Sequence, residues 1–230
     1  MFEHQPLRHP LNDKLCLHYD STYQGYDVSQ RKNGRLITNY LERAFLMLNT
    51  VRYLYREVFA FRIDLRFPDA MQRSSMHDNN DVLAAFFRYF RYEIHKTNTK
   101  HKTRLHYLWA REQDTSDKPH YHLMMFFNKA AFDSLGYFAP DEFGMYTLDN
   151  LYHRMMRAWL KAMGFDPDSS WYKQLVHVSE NPVTEIPWSR ILHRHDWVSM
   201  DEAMFMASYL CKAHTKPIGQ GIHVFDYSRA

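Results

Sequence analysis

The segment PHYHLMMFFN, residues 119–128, carries His120 and His122 one residue apart. Alternate side chains of an extended strand share a face, so this spacing points both imidazoles the same way, alongside Met124 and Phe126. The preceding run TRLHYLWARE also reads as a strand, and the polar turn QDTSDK between the two predicts a β-hairpin. On that hairpin Leu108, Ala110 and Glu112 share a face, and Glu112, eight residues before His120, comes across the turn beside the two rings. Two neutral imidazoles and a carboxylate leave positions open for water or substrate, as catalytic metal sites do and closed structural ones do not. The spacing therefore predicts a metal site made by Glu112, His120 and His122. Mixed nitrogen and oxygen ligation suits a divalent cation such as Mn2+ or Mg2+.

A second pair, His193 and His195 in LHRHDW, has the same spacing. Fifteen histidines in 230 residues supply about one His-x-His pair by chance. The 193/195 pair has no strand-like run around it and no carboxylate on a neighbouring strand, so it reads as the accidental one. The other group suited to covalent chemistry is Tyr209 with Lys212 in SYLCK. Ser199 and Glu202 form an S-x-x-E capping box, which predicts a last helix from Ser199 to His214. At about 100° per residue, Met200, Ala203, Met204, Ala207, Leu210 and Cys211 make its core stripe, with Tyr209 opposite the centre and Lys212 about 60° from Tyr209. A phenol beside a cation can act as a nucleophile toward a phosphate. Taken alone, Y-x-x-K more often marks an exposed aromatic and a solvated lysine.

These groups need a scaffold, and the rest of the pattern supplies one. Ile37, Leu41, Ala44, Phe45, Leu48, Val51 and Tyr55 recur at helical spacing. VFAFRIDLRF alternates, with Phe59, Phe61, Ile63 and Leu65 on one face and Arg62, Asp64 and Arg66 on the other, predicting a half-buried strand closed by Pro68. Leu83, Phe86, Phe87, Phe90 and Ile94 predict a second helix, Leu151, Met155, Trp159 and Met163 a third, and KQLVHVS a short strand. This order predicts an α+β fold, an antiparallel or mixed central sheet with flanking helices packed on one face. Residues 1–35 carry scattered polar groups and read as an arm or irregular cover, leaving 36–230 as a single domain.

Composition sets the outer limits. A chain of 230 residues, 45% hydrophobic and 24% charged, with only 7 Gly, is globular and too short for a multi-domain machine. No run reaches the roughly 18 apolar residues of a membrane span, and MFEHQPLRHPLND lacks the apolar stretch of a signal peptide, so a cytoplasmic location without a membrane partner is expected. Cys16 and Cys211 are too few for a disulfide framework and are expected as thiols. A net charge of +3 does not make the whole chain a nucleic-acid binder, so any such charge must be local. FFRYFRYEIHKTNTKHKTR carries six Lys and Arg against one Glu. Its Arg88, Arg91, Lys100, Lys102 and Arg104, with Arg62, Asp64 and Arg66 of the predicted strand, are the candidate DNA-contacting residues. The other reading of that segment is a solvated helix edge and loop. Tyr89, Tyr92 and Trp109 are candidates for stacking on unpaired bases.

A strand bearing Asp64, then Glu112 with PHYHLMMFFN, then SYLCK on a late helix, in that order, resembles the HUH endonuclease superfamily of rolling-circle replication initiators. Within it the chain looks like inovirus and prophage replication proteins of the YagK/YfjJ type, over residues 57–228. The resemblance implies a Rep-like HUH fold with His120, His122 and Glu112 as ligands of Mg2+ or Mn2+, Tyr209 as nucleophile and Lys212 as its helical companion. Tyr121 stands where that family has a bulky apolar residue. Position 205 is Phe and 213 is Ala, which implies the single-tyrosine branch. The implied activity is nicking and rejoining of single-stranded DNA or an origin hairpin through a 5′-phosphotyrosine, starting rolling-circle replication of a phage, plasmid or prophage-like element. The chain has no G-x-x-x-x-G-K-[ST], so helicase and polymerase would come from the host. A zinc hydrolase or non-haem iron enzyme would use the same three ligands without needing Tyr209 and Lys212. A non-catalytic DNA-binding regulator on the same fold is the third reading.

Overall fold

The N-terminal segment forms short strands where the sequence suggests an irregular arm. In the computed structural model, which describes residues 6–30, 34–113, 116–168, 172–180 and 185–229, Arg8–His9 (β1) pairs with Asn12–His18 (β2) and Thr22–Tyr23 (β3) pairs with Tyr26–Asp27 (β4). Leu36–Ile37 (β5) then joins β2. These strands escape a periodicity search because they are short and mostly polar, and in residues 6–30 only Leu17 and Val28 are buried. A helix follows directly, Thr38–Leu54 (α1), whose Leu41, Ala44, Leu48 and Val51 stripe is fully buried.

The remaining elements are Glu57–Leu65 (β6), Asp81–His95 (α2), His106–Glu112 (β7), His120–Asn128 (β8), Leu151–Ala162 (α3), Val176–Val178 (β9), Ser189–His193 (β10), Trp197–Ser208 (α4) and Phe225–Tyr227 (β11). Six strands make one sheet in the order β10-β6-β8-β7-β11, with β9 also on β6, and every pairing is antiparallel. The protein is α+β, with antiparallel sheets and flanking helices. Among the described residues no helix is long and apolar enough to cross a membrane, and both cysteines are free.

The helices cover both faces of the large sheet, which corrects the expectation of one. Phe61, Ile63, Leu123 and Phe127 pack under α2 and α3, while Ala60, Leu108, Ala110, Met124 and Phe126 pack under α1 and α4. The strand expected to be half-buried, β6, is therefore buried on both sides from Val58 to Leu65. Polar side chains on its second face, Arg62 and Asp64, lie inside the protein at 5% and 7% exposure. A buried charge must find partners there, and that requirement shapes the site.

The last helix also departs from its sequence signature. Its cap is Asp196, whose side chain accepts from the backbone N–H of Val198 and Ser199, so α4 starts at Trp197. Glu202 instead pairs with Arg190 at 3.0 Å. The α-helical turn stops at Ser208, and Tyr209–Cys211 tighten into a 3-10 turn. The expected stripe from Met200 to Cys211 is buried as anticipated, but the tighter turn changes where Lys212 points. The 193/195 pair sits at the end of β10, a strand that sequence periodicity does not reveal, with His193 3.4 Å from Glu57.

Trp159 of α3 is fully buried among Phe67, Phe86 and Tyr121, and its indole N–H donates to the Arg66 carbonyl at 2.7 Å. Trp159→Ala removes that packing and is expected to cost about 3–5 kcal/mol. Trp159→Phe keeps a ring but strands the carbonyl, an expected loss of about 1–3 kcal/mol. Urea unfolding of the two variants checks both values and their order.

Candidate metal centre

Three neighbouring strands set the site by register alone. Glu112 faces His120 across the β7–β8 pair, and His122 faces Ala110 on one side and Asp64 on the other. Because side chains alternate, Glu112, His120, His122 and Asp64 share one sheet face. The small Ala110 leaves room for the His122 ring. Ligand atoms of Glu112, His120 and His122 all lie within 4.8 Å of one another, as the hairpin pattern predicted. His122 Nε2 is 3.2 Å from His120 Nε2 and 3.2 Å from Glu112 Oε2.

His122 Nδ1 meets Asp64 Oδ1 at 2.5 Å, and Ser179 donates to the same oxygen at 3.2 Å. A carboxylate on Nδ1 fixes the tautomer and turns the Nε2 lone pair inward. Burial alone would raise the Asp64 carboxyl, but His122, Arg62 and Arg66 hold it well below the usual carboxylate range. Asp64 is thus the orienting partner of His122, not a DNA-contacting residue, and Arg66 lies 3.5 Å from it with half its side chain in solvent. Burial, reinforced by His122, pulls His120 down to about 4, so its imidazole is neutral and able to ligate at neutral pH.

Glu112 is 2% exposed and accepts from three side chains, which leaves one of its roughly four lone-pair sites for a cation. Lys212 Nζ donates to Oε2 at 3.1 Å, Thr215 Oγ1 donates to Oε2 at 2.7 Å, and Lys216 Nζ donates to Oε1 at 3.1 Å. Burial pushes this carboxyl up, but His122, Lys216 and Lys212 outweigh it and hold it well below the usual range. Thr215 has φ 73°, a left-handed conformation unusual for a β-branched residue, and its hydroxyl is aimed at Glu112 from there. Lys216 and Thr215 were not legible as site residues, since a K-x-x-x-K pair beyond a helix carries no chemical signature by itself.

The edge of the Tyr209 ring meets the His122 ring, with centroids 5.3 Å apart and planes at 89°. Lys212 Nζ lies 3.7 Å from the Tyr209 centroid and the Arg62 guanidinium carbon 4.0 Å from it. Tyr209 and Lys212 do stand together, but they turn toward the hairpin. Lys212 is buried at 6% exposure rather than facing outward. Burial lowers the Arg62 guanidinium from its ordinary value, with Asp64, Tyr209 and Glu112 opposing the shift.

The basic segment is elsewhere. Arg88, Arg91, Lys100, Lys102 and Arg104 are exposed on α2 and the loop after it. Arg91 and Arg104 line a cavity of about 610 Å³ with His106, the first residue of β7. Glu112 is six residues further along that strand, about 20 Å away. Trp109 belongs to the core at 7% exposure, Tyr89 packs against it, and Tyr92 is exposed beneath Lys96.

A family model described as YagK/YfjJ C-terminal domain matches residues 18–228. The chain belongs to that family. It is 25% identical over 227 residues to the uncharacterized protein YagK of Escherichia coli K12, covering 90% of this chain and 98% of YagK. It is also 30% identical over 132 residues to the uncharacterized protein YfjJ of the same strain, covering 57% of this chain and 58% of YfjJ. No solved structure matches the chain. The YagK/YfjJ match begins well before β6, so part of the N-terminal strand region belongs to the family's domain together with the large sheet.

The donor set of this YagK/YfjJ-family protein fits a divalent cation. Two nitrogen or oxygen ligand atoms bonded to one ion at about 2.1 Å stand roughly 3.0–3.4 Å apart at angles near 90–109°. Both 3.2 Å separations at His122 Nε2 meet that condition. Calorimetric titration with Mn2+ is expected to show one site, abolished by the double change His120→Ala and His122→Ala. Asp64→Asn, which leaves all three ligands, should weaken binding about 10–100-fold.

Proposed function

We propose that this protein is a metal-dependent, single-tyrosine nuclease of the HUH type, which nicks and rejoins single-stranded DNA. The observation that carries the reading is the contact of Tyr209 with His122, with Lys212 shared between the Tyr209 ring and Glu112. A zinc hydrolase or non-haem iron enzyme built on the same ligands has no use for a phenol clamped by two cations at the metal's edge. A pure DNA-binding regulator has no use for the strained Thr215 and the buried Glu112 cluster.

A bound Mg2+ or Mn2+ would supply Lewis-acid polarisation of the scissile phosphate. The chain's own residues do the rest. Tyr209 Oη attacks phosphorus, and the bond to the upstream 3′ oxygen breaks. That oxygen leaves as a 3′-OH with a proton equivalent to the one the phenol gives up, and the phosphate stays joined to Tyr209 as a 5′-phosphotyrosine. Lys212 and Arg62 hold the ring from its faces and offset negative charge as it develops. Because the link keeps the phosphodiester energy, attack by a 3′-OH reverses the step without ATP. The cellular role we assign is initiation of rolling-circle replication of a phage, plasmid or prophage-like element at a single-stranded or hairpin origin, with host helicase and polymerase.

Incubation with single-stranded oligonucleotides and Mn2+ is expected to give a protein–DNA adduct on denaturing gels, with the nucleotide on Tyr209 by peptide mapping. Tyr209→Phe should abolish it while Mn2+ binding stays intact. Lys212→Ala should slow adduct formation without removing it. An adduct on another tyrosine, or cleavage that survives Tyr209→Phe, excludes this mechanism.

The exposed arginines and lysines from Arg88 to Arg104 are the proposed backbone contacts outside the site. Neutralising them should reduce the salt slope of single-strand binding by about 0.7 per lost phosphate contact. An unchanged slope places the DNA on another surface.

A further inference from the structure

Beside Tyr209 lies a cavity of about 420 Å³, within the roughly 300–1,000 Å³ typical of small-ligand sites. Two of its walls are aromatic. Phe205 of α4, four residues before Tyr209, keeps 36% of its surface exposed between the buried Met204 and Met206. Trp188 stands next to it, with ring centroids 6.0 Å apart. The Trp188 backbone is pinned on both sides, its N–H donating to the Ser179 carbonyl at 2.7 Å and its carbonyl accepting from the Arg62 N–H at 2.9 Å. This is a pre-set platform, not a mobile side chain on a loop.

The polar part of the wall is rich in acceptors. Gln30 reaches the wall as well, held there by its amide N–H groups, which donate to the backbone carbonyls of His18 and Tyr19. Asp64 and Glu180 add carboxylates, against the guanidinium of Arg62. That balance of charge disfavours a phosphate inside the cavity. It suits a flat, neutral group with N–H donors on its edge and π faces for the rings, and a nucleobase with an exocyclic amino group has both.

We infer that this cavity receives the unpaired base of the nucleotide adjoining the phosphate attacked by Tyr209, stacked against Phe205 and Trp188. The inference rests on the nuclease reading above and adds a specificity pocket to it. It also accounts for the residue type at position 205, because an aromatic ring without a hydroxyl binds the strand there and leaves Tyr209 as the sole phenol on that turn.

The test is fluorescence anisotropy without metal, using two labelled probes of about 20 nucleotides, an oligodeoxycytidylate and a backbone of abasic residues. Phe205→Ala and Trp188→Ala should each weaken binding of the oligodeoxycytidylate by about 5–100-fold. Both should bind the abasic probe as the wild type does and keep the wild-type affinity for Mn2+. Phe205→Leu and Trp188→Leu, which keep apolar volume, serve if an alanine variant fails to fold, and the same losses are expected. Equal affinities of wild type and variants for the oligodeoxycytidylate, or equal losses on both probes, overturn the pocket while leaving the nuclease reading in place. A wild type that binds neither probe overturns both.

Discussion

Glu112 carries a negative charge at 2% exposure, and a buried charge left without partners costs several kcal/mol. Its two oxygens take donors from Lys212, Thr215 and Lys216, all in the turn beyond α4, and one of them also faces His122. This need dictates much of the architecture. The α-helix must stop at Ser208 and tighten, so that Lys212 swings inward rather than following a regular helical register. The N-terminal strands are drawn in as well, because Lys212 bridges to Leu36 and the Ala213 N–H donates to the Arg35 carbonyl at 2.8 Å. Hairpin, last helix and N-terminal cover therefore meet at one carboxylate.

The cluster of Glu112, His120 and His122 was legible because it depends only on the two-residue period of strands and on a short turn, both local properties. Asp64 was visible as a strand residue but not as the partner of His122, since a β6–β8 pairing joins segments 58 positions apart and no local pattern encodes it. The same reasoning explains Arg62. Alternation placed it correctly on the polar side of β6, yet the polar side is interior, because α1 and α4 cover it. Amphipathic periodicity reports that a strand has two unlike faces and is silent on what will cover the second. The cap of α4 was misplaced for a subtler reason, as Asp196 and Ser199 are both competent caps and the earlier one wins. The short β10 and β11 strands and the N-terminal ladders are set by pairing rather than by their own composition.

The charge of the molecule is divided in space. Around Tyr209, Arg62, Lys212 and Lys216 interlock with Asp64 and Glu112 in the interior. The exposed positive groups of residues 88–104 lie toward the opposite end of β7, about 20 Å from Glu112. In the nuclease reading proposed above, this separation assigns chemistry and capture to different ends of one sheet. A strand joined to both would run past several nucleotides, since successive phosphates of one strand lie about 3.4 Å apart along a duplex axis.

The 100 positions between Glu112 and Lys212 are also an interval of time. At about 5–20 residues per second, a ribosome makes Glu112 roughly 5–20 s before the lysine that neutralises it, and Asp64 earlier still. Tyr209 is translated within the same late stretch. A nascent chain thus holds the hairpin before the residues that close around it, and the ion pairs to Glu112 form together with the arrival of Tyr209. The long reach of one salt bridge works as a delay, keeping Glu112 apart from its lysines until every strand of the large sheet but the last, Phe225–Tyr227, has been made.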